Sequence, residues 1–532
     1  MVEHTRRTVA LGGGLALTAL AGTALAGTAR AGGVQTDGAA PVATTRYGCV
    51  RGYVDRDIKV FKGVRYGADT AARRFRPAVA PEPWTDVIDA TTHGHASPQK
   101  SSEPDQDEDC LFLNVWTPAL ADGAARPVMV YVHGGAHANG SGSSPLYDGV
   151  ALCRRGDVVV VTVNHRLNVF GYNGLGQLLG GDFAASGSIG NLDLILALEW
   201  VRDNIAGFGG DPANVTVFGQ SGGGGKLVTL MAMPRAAGLY HRLITMSGQH
   251  VTAMGPRHAE LRMRRFLDHL GLSPERAGEL ATLPAGRLVE ALQMDDPIEK
   301  GDIYFWSVMD HDTLPRHPFV PDAPRESGHI PMIIGNTHDE ARAFTSGDER
   351  NFHLTWDTVA AKLAPEFVVD MNAQYVVDWY RQRFPEMSPS DIFFAAATCG
   401  RSRPGHLIQA EERAKLNGPT WMYQLDFGSP VEPRLGAYHS FDIALAFDNC
   451  DKPGSKTGTG PQALKVAQAM SETFIAFART GDPNNAAIPA WGRYTLPERA
   501  TMIFDVDSRV ENDPRADERR LFQTAPFLKL GT

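Results

Sequence analysis

The chain has 532 residues, 43% hydrophobic and 21% charged, the composition of an ordinary soluble globular protein. Its net charge of −9 argues against a nucleic-acid partner, which needs a basic face, and gives no attraction to anionic membranes. Five cysteines (Cys49, Cys110, Cys153, Cys399 and Cys450), none close to another in the chain, make neither a disulfide framework nor a zinc pattern, and the odd number leaves at least one thiol without a partner in the chain.

Arg6-Arg7 precede a mildly apolar stretch from Val9 to Ala26. Small-x-small sites stand at Ala24-Leu25-Ala26 and Ala29-Arg30-Ala31. This order predicts an export signal over residues 1–31, cleaved after Ala26 or Ala31. The paired arginines point to the twin-arginine route and to a secreted or extracytoplasmic protein. A retained anchor is the alternative. The stretch is rich in Gly and Ala and has no stop-transfer pattern behind it, so no stable membrane insertion of the mature chain is expected. Residues 32–41 read as a flexible leader, and residues 42–532, with no long linker, as one domain with insertions.

The segments Arg46–Gly52 and Ile58–Gly63 read as hairpin strands with glycine punctuation. Pro127–Val132 is almost wholly apolar, as a buried parallel strand requires, and Asp157–Val163 reads the same way. Leu194, Leu198, Val201 and Ile205 recur at helical spacing, and Gly207–Pro212 ends that helix. Val215–Phe218 is a strand, a helix opens at Gly222, and Arg242–Met246 is a further strand. Residues 257–330 are more charged and less regular, and predict helical excursions over the sheet. Strand character returns at Pro331–Gly335 and Trp421–Leu425, and Gln462–Phe477 is a late helix. The alternation predicts an α/β fold with a central, mostly parallel sheet flanked by helices.

Gly219-Gln220-Ser221-Gly222-Gly223 follows a strand directly and opens a helix. In that setting Gly-x-Ser-x-Gly is a nucleophile elbow: the turn is too tight for bulky neighbours, and Ser221 projects at the strand end above a helix N-terminus. A plain Gly/Ser loop at a strand end is the competing reading. A second signal favours the elbow, because Val132-His133-Gly134-Gly135-Ala136, about 85 residues upstream, is a Gly-rich turn able to supply backbone donors to an oxyanion. His133 and His137 are four apart but flank this turn rather than one helix face, so no metal site is expected.

These segments, with Phe61–Tyr66, Glu108–Trp116, Val163–Leu167, Ala197–Val201, Phe208–Pro212 and Met246-Ser247-Gly248 in the same order, resemble the type-B carboxylesterases, which include cholinesterases and bacterial para-nitrobenzyl-type esterases. The resemblance spans roughly residues 42–525 and implies an α/β-hydrolase fold with helical insertions capping the active site. It implies that the acid is Glu340, in Gly335-Asn336-Thr337-His338-Asp339-Glu340-Ala341, where Ala341 replaces the usual glycine and Asp339 is the rival. It implies that the histidine is His439, in Gly436-Ala437-Tyr438-His439-Ser440-Phe441-Asp442, with Asp442 for the usual glutamate. By the same analogy the backbone N–H groups of Gly135, Ala136 and Gly222 form the oxyanion hole. The order Ser221, Glu340, His439 agrees with that of α/β-hydrolases. The implied reaction is hydrolysis of carboxylic esters through an acyl-enzyme on Ser221, with a small-molecule ester as partner and no cofactor or metal.

Three departures refine this expectation. Gln220 stands where many relatives carry glutamate, and no tryptophan stands just upstream of Glu108, so choline esters are not expected. Ser97 falls where relatives with a disulfide have the partner of Cys110, so that bridge is not expected. Ala136 replaces a third glycine and sets a methyl group toward the alcohol side of the site. The alternatives are a lipase, or a hydrolase of carbamates or natural-product esters, on the same fold. A catalytically inactive binding relative is disfavoured, since Ser221, Glu340 and His439 are all present.

Overall fold

Val128, Val130 and Val132 point to one side of their strand and Met129 and Tyr131 to the other, and all five are buried. A strand of this kind needs cover on both faces, and the rest of the chain is arranged to supply it. The computed structural model describes residues 40–527. The export signal expected over 1–31, and residues 32–39 of the leader, lie outside the described residues.

In chain order the strands are β1 (Val42–Thr45), β2 (Gly48–Arg51), β3 (Tyr53–Asp55), β4 (Ile58–Arg65), β5 (Ile88–Asp89), β6 (Phe112–Thr117), β7 (Arg126–Val132), β8 (Val159–Val163), β9 (Gly210–Gln220), β10 (Arg242–Met246), β11 (Met332–Thr337), β12 (Thr420–Leu425), β13 (Ala500–Phe504) and β14 (Arg509–Asn512). The main sheet has the order β14-β13-β12-β11-β10-β9-β7-β8-β6-β4-β3. From β8 through β13 every neighbouring pair is parallel, and the pairs beyond are antiparallel. One face packs on the helices Ile189–Asn204 and Gly222–Leu230, the other on Val150–Gly156 and Pro461–Thr480. This is the mostly parallel, helix-flanked sheet expected from the sequence.

Two details differ. The segment Arg46–Gly52 is not one strand: β1 and β2 pair with each other, Val42 opposite Arg51, and Arg46 and Tyr47 form the turn between them. β9 begins at Gly210, inside the stretch read as a stop, because Arg126 pairs with Gly210 across a register shift in β7.

The Glu108-Asp109-Cys110 segment is held by ion pairs. Buried Glu108 takes Arg74, with Nε at 2.7 Å, and Asp109 takes both guanidinium nitrogens of Arg65 at 2.5 and 2.6 Å. All five cysteines are free thiols. Ser97 lies within hydrogen-bond reach of the Cys110 thiol, and burial raises that thiol well above its ordinary value.

Between β10 and β11 the helices Pro256–His269 and Ala285–Ala291 gather their own apolar cluster around Phe266 and Leu288. Between β11 and β12 the helices Ala373–Arg383, Pro389–Ala397 and Arg403–Lys415 intervene, with a second cluster around Tyr380 and Phe393. Both insertions leave the sheet from the ends at which these parallel strands finish. Among the described residues, no helix is long and apolar enough to cross a membrane.

Candidate active site

The C-terminal ends of β7, β9, β11 and β12 lie along one edge of the sheet, since these strands are parallel. Ser221 follows the last residue of β9 and caps the helix Gly222–Leu230. Its φ of 58° and ψ of −125° lie where a residue with a β-carbon is strained, typically by about 1–3 kcal/mol. The surroundings enforce that conformation. The Ser221 N–H donates to the Met246 carbonyl at 2.7 Å, and its carbonyl accepts from Gly225 at 2.9 Å.

The glycines let two turns meet. A β-carbon on Gly223 would stand 2.0 Å from the Val132 carbonyl oxygen, and one on Gly222 would stand 2.0 Å from that of Ala136. The elbow and the turn after β7 are thus in backbone contact. In that turn Gly135 and Ala136 both have positive φ, 82° and 54°. The Gly135 carbonyl accepts from Ala138 and Asn139, which closes the turn. Among the described residues the N–H groups of Gly135 and Ala136 have no backbone acceptor, and Gly222, first in its helix, has none within it. The structure therefore brings the three expected oxyanion donors to one place beside Ser221.

Glu340 follows β11 and is 1% exposed. Its Oε2 accepts from His439 Nδ1, while its Oε1 accepts from Ser247 Oγ at 2.6 Å and from the Thr337 N–H at 2.9 Å. Burial alone would raise this carboxyl, but His439 and its hydrogen bond, with His406 and the Ser247 hydroxyl, together outweigh it and hold the group below its usual value. Asp339, the rival, faces elsewhere. Its carboxylate accepts from the Ala437 N–H at 3.0 Å, and its own N–H donates to the Ala437 carbonyl at 2.9 Å. It ties the two loops together and does not touch the imidazole. Ala341 has an ordinary helical φ of −64°, so no glycine is needed there.

His439 is 8% exposed, with the Phe344 ring 4.7 Å from its own. Among the described residues its Nε2 has one hydrogen-bond partner, the side-chain nitrogen of Gln220 at 3.2 Å. Ser221 Oγ itself is not hydrogen-bonded to His439. The imidazole reaches the elbow through the residue next to the serine. Asp442, the variant of the family glutamate, is fully buried, accepts from Tyr423 at 2.8 Å and is pushed up to about 7 by burial. His406 is also buried nearby and is lowered to about 4 by burial.

Ser247 and His406 received no role from the sequence. Ser247 sits in the Met246-Ser247-Gly248 stretch, but its contact with Glu340 spans 93 residues and has no local signature. Among the described residues no three His, Cys, Asp or Glu side chains are grouped to hold a metal ion. The arrangement is a half-buried hydroxyl on a strained turn, unaccepted N–H groups beside it, and an imidazole fixed by a buried carboxylate. It can take up a proton from the hydroxyl and stabilise a developing oxyanion.

Comparison with known proteins agrees with that chemistry. The model of the carboxylesterase family matches residues 39–522. The chain is 34% identical to the para-nitrobenzyl esterase of Bacillus subtilis over 90% of this chain and 98% of that protein. It is 31% identical to the phenmedipham hydrolase of Pseudarthrobacter oxydans, over 89% and 97%. A crystal structure of a Geobacillus stearothermophilus carboxylesterase superposes with a TM-score of 0.80 at 36% identity, covering 91% of this chain and all of that one. This chain belongs to the carboxylesterase family and is a serine carboxylic-ester hydrolase with the α/β-hydrolase fold.

Proposed function

We propose that Ser221 is the nucleophile, His439 the general base and acid, and Glu340 the residue that orients and stabilises the imidazole. The observation that carries this reading is the buried Glu340–His439 pair, with its Nε2 held at the residue next to Ser221. His439 Nε2 takes the Ser221 proton as Oγ bonds to the ester carbonyl carbon. The negative charge that forms on the carbonyl oxygen is met by the N–H groups of Gly135, Ala136 and Gly222. Loss of one such donor typically costs about 3 kcal/mol of transition-state stabilisation. The imidazolium then protonates the departing alcohol as the ester C–O bond breaks. Water, deprotonated by His439, attacks the acyl-enzyme, and the proton returns to Ser221 as the acid leaves.

The substrates proposed are small to medium neutral esters. Gln220 brings no negative charge beside the nucleophile to attract a quaternary ammonium. Aryl and benzyl esters are the first to test, on the strength of the Bacillus relative. The experiment is hydrolysis of para-nitrophenyl acetate, butyrate and longer esters, with Ser221→Ala as control and a fluorophosphonate label located by peptide mass spectrometry. Label on another residue, or hydrolysis undiminished in Ser221→Ala, would end the reading. A rate that climbs with chain length and at a lipid interface selects the lipase alternative.

We also propose export by the twin-arginine route. Arg6-Arg7, the apolar stretch behind them and the two small-x-small sites support it. Replacing both arginines by lysine should retain the protein in the cytoplasm, and unchanged export of that variant contradicts the proposal. The unbroken family match over 39–522 supports reading 42–532 as one catalytic domain.

A further inference from the structure

His439 gives its Nδ1 side to Glu340, so the proton of the neutral ring sits there and Nε2 keeps a lone pair. Gln220 places its amide nitrogen 3.2 Å from that lone pair, and an amide N–H can donate to it. The side chain is 3% exposed and has little room to swing away. Its other end lies over the turn after β7, since a β-carbon on Gly134 would stand 3.0 Å from Gln220 Oε1 and 2.9 Å from the Gln220 carbonyl. The amide therefore spans from the imidazole to the turn that carries Gly135 and Ala136.

We infer that Gln220 is a positioning residue for His439, whose amide donor meets Nε2 and holds the imidazole at the elbow in the resting site, to be released as Nε2 takes the Ser221 proton. The inference rests on the Ser221–His439–Glu340 reading. The physical argument turns on what the position can donate. Glutamine offers an N–H to the neutral ring. A carboxylate there offers only acceptors, which stabilise the protonated ring instead. The other titratable groups around His439 are Glu340 on the loop after β11, His406 on the helix Arg403–Lys415 and Asp442 on the following helix. None of them bonds Nε2.

The test compares wild type, Gln220→Glu and Gln220→Met in kcat/KM for para-nitrophenyl butyrate from about pH 4.5 to 9. Active sites are counted by fluorophosphonate titration so that unfolded protein is excluded. A carboxylate within hydrogen-bond reach of an imidazole typically raises it by about one unit or more. Gln220→Glu is expected to move the acid limb of the profile up by that amount while keeping its plateau within a few-fold. Gln220→Met is expected to lower kcat about five- to tenfold with KM nearly unchanged and no upward move of the limb. An acid limb that stays in place in Gln220→Glu overturns the inference. Should that variant not fold, Gln220→Met decides: a lowered kcat with KM nearly unchanged supports the inference, and an unchanged kcat overturns it. The underlying triad reading fails separately, through the Ser221→Ala rate and the site of labelling.

Discussion

The hydroxyl of Ser247 donates at 2.6 Å to the Glu340 oxygen that does not face His439. A carboxylate that binds an imidazole through one oxygen can still pivot, and Ser247, with the Thr337 N–H at 2.9 Å, holds the other oxygen. Ser247→Ala leaves Thr337 in place, so the loss is partial. A hydrogen bond to a charged group is typically worth about 1.5–3 kcal/mol, and the fall in kcat is expected to be about ten- to a hundredfold with KM little changed. Steady-state kinetics of the variant check this, and an unchanged kcat refutes it.

Glu340 and Asp339 are neighbours with separate tasks. Glu340→Gln leaves the shape intact but removes the charge that stabilises the imidazolium, and kcat should fall by about 10³–10⁴. Asp339 fixes the backbone of Ala437, two residues before His439. Asp339→Asn should lower the melting temperature more than it lowers kcat. Comparable kinetic losses in the two variants would reverse the assignment.

Ala136 has a φ of 54°, a conformation that glycine adopts without strain. Ala136→Gly should keep activity on n-butyl acetate and gain on tert-butyl acetate, since it removes a methyl group from the turn that meets the elbow. Competitive hydrolysis of the two esters measures it. Equal wild-type rates on both count against a steric role.

Gly223 meets the Val132 carbonyl at a distance no side chain can enter, and both partners are backbone. Gly223→Ala should separate the elbow from β7 and yield protein that is insoluble or inactive. Gly278, exposed in the short helix Pro274–Ala281, would meet nothing within 4 Å of an added methyl group, and Gly278→Ala should be neutral or stabilise by roughly 0.5–1 kcal/mol. Thermal melts of the pair separate a steric effect from a general intolerance of substitution.

Lys226 is fully buried in the elbow helix, with Nζ 3.4 Å from the His133 carbonyl, and burial lowers its ammonium from 10.5 to about 7. Below pH 7 the folded and unfolded chains both carry the proton, and the folded state bears the whole cost of the buried charge. Between about 7 and 10.5 the folded chain has released a proton that the unfolded chain still holds, so stability rises with pH across that window. Lys226→Met should therefore be more stable than wild type at pH 6, by at most about 5 kcal/mol, and the difference should shrink toward pH 10. Melting temperatures across that range test the sign; a constant difference or a destabilised variant contradicts it.

By itself the sequence determined the elements whose cause is local. Pro127–Val132 and Val158–Val161 are apolar without interruption, and a strand buried on both faces follows from that. Gly219, Gly222 and Gly223 around Ser221 mark a turn that admits no side chains, whatever surrounds it. The helix Arg403–Lys415 left no such mark, because the face it buries carries His406, Gln409 and Arg413, which are held by hydrogen bonds or burial rather than by apolar spacing. The helix Ala373–Arg383 buries Ala373, Val376, Val377 and Tyr380, a helical spacing too short to stand out from its polar surroundings. What only the tertiary structure decided was partnership. Whether Glu340 or Asp339 faces the imidazole, that Ser247 holds the far carboxylate oxygen, and that Gln220 meets Nε2 across 219 residues all depend on loops brought to one edge of a parallel sheet. Contacts between residues so far apart in the chain are set by where strands end in space, and no local spacing encodes that.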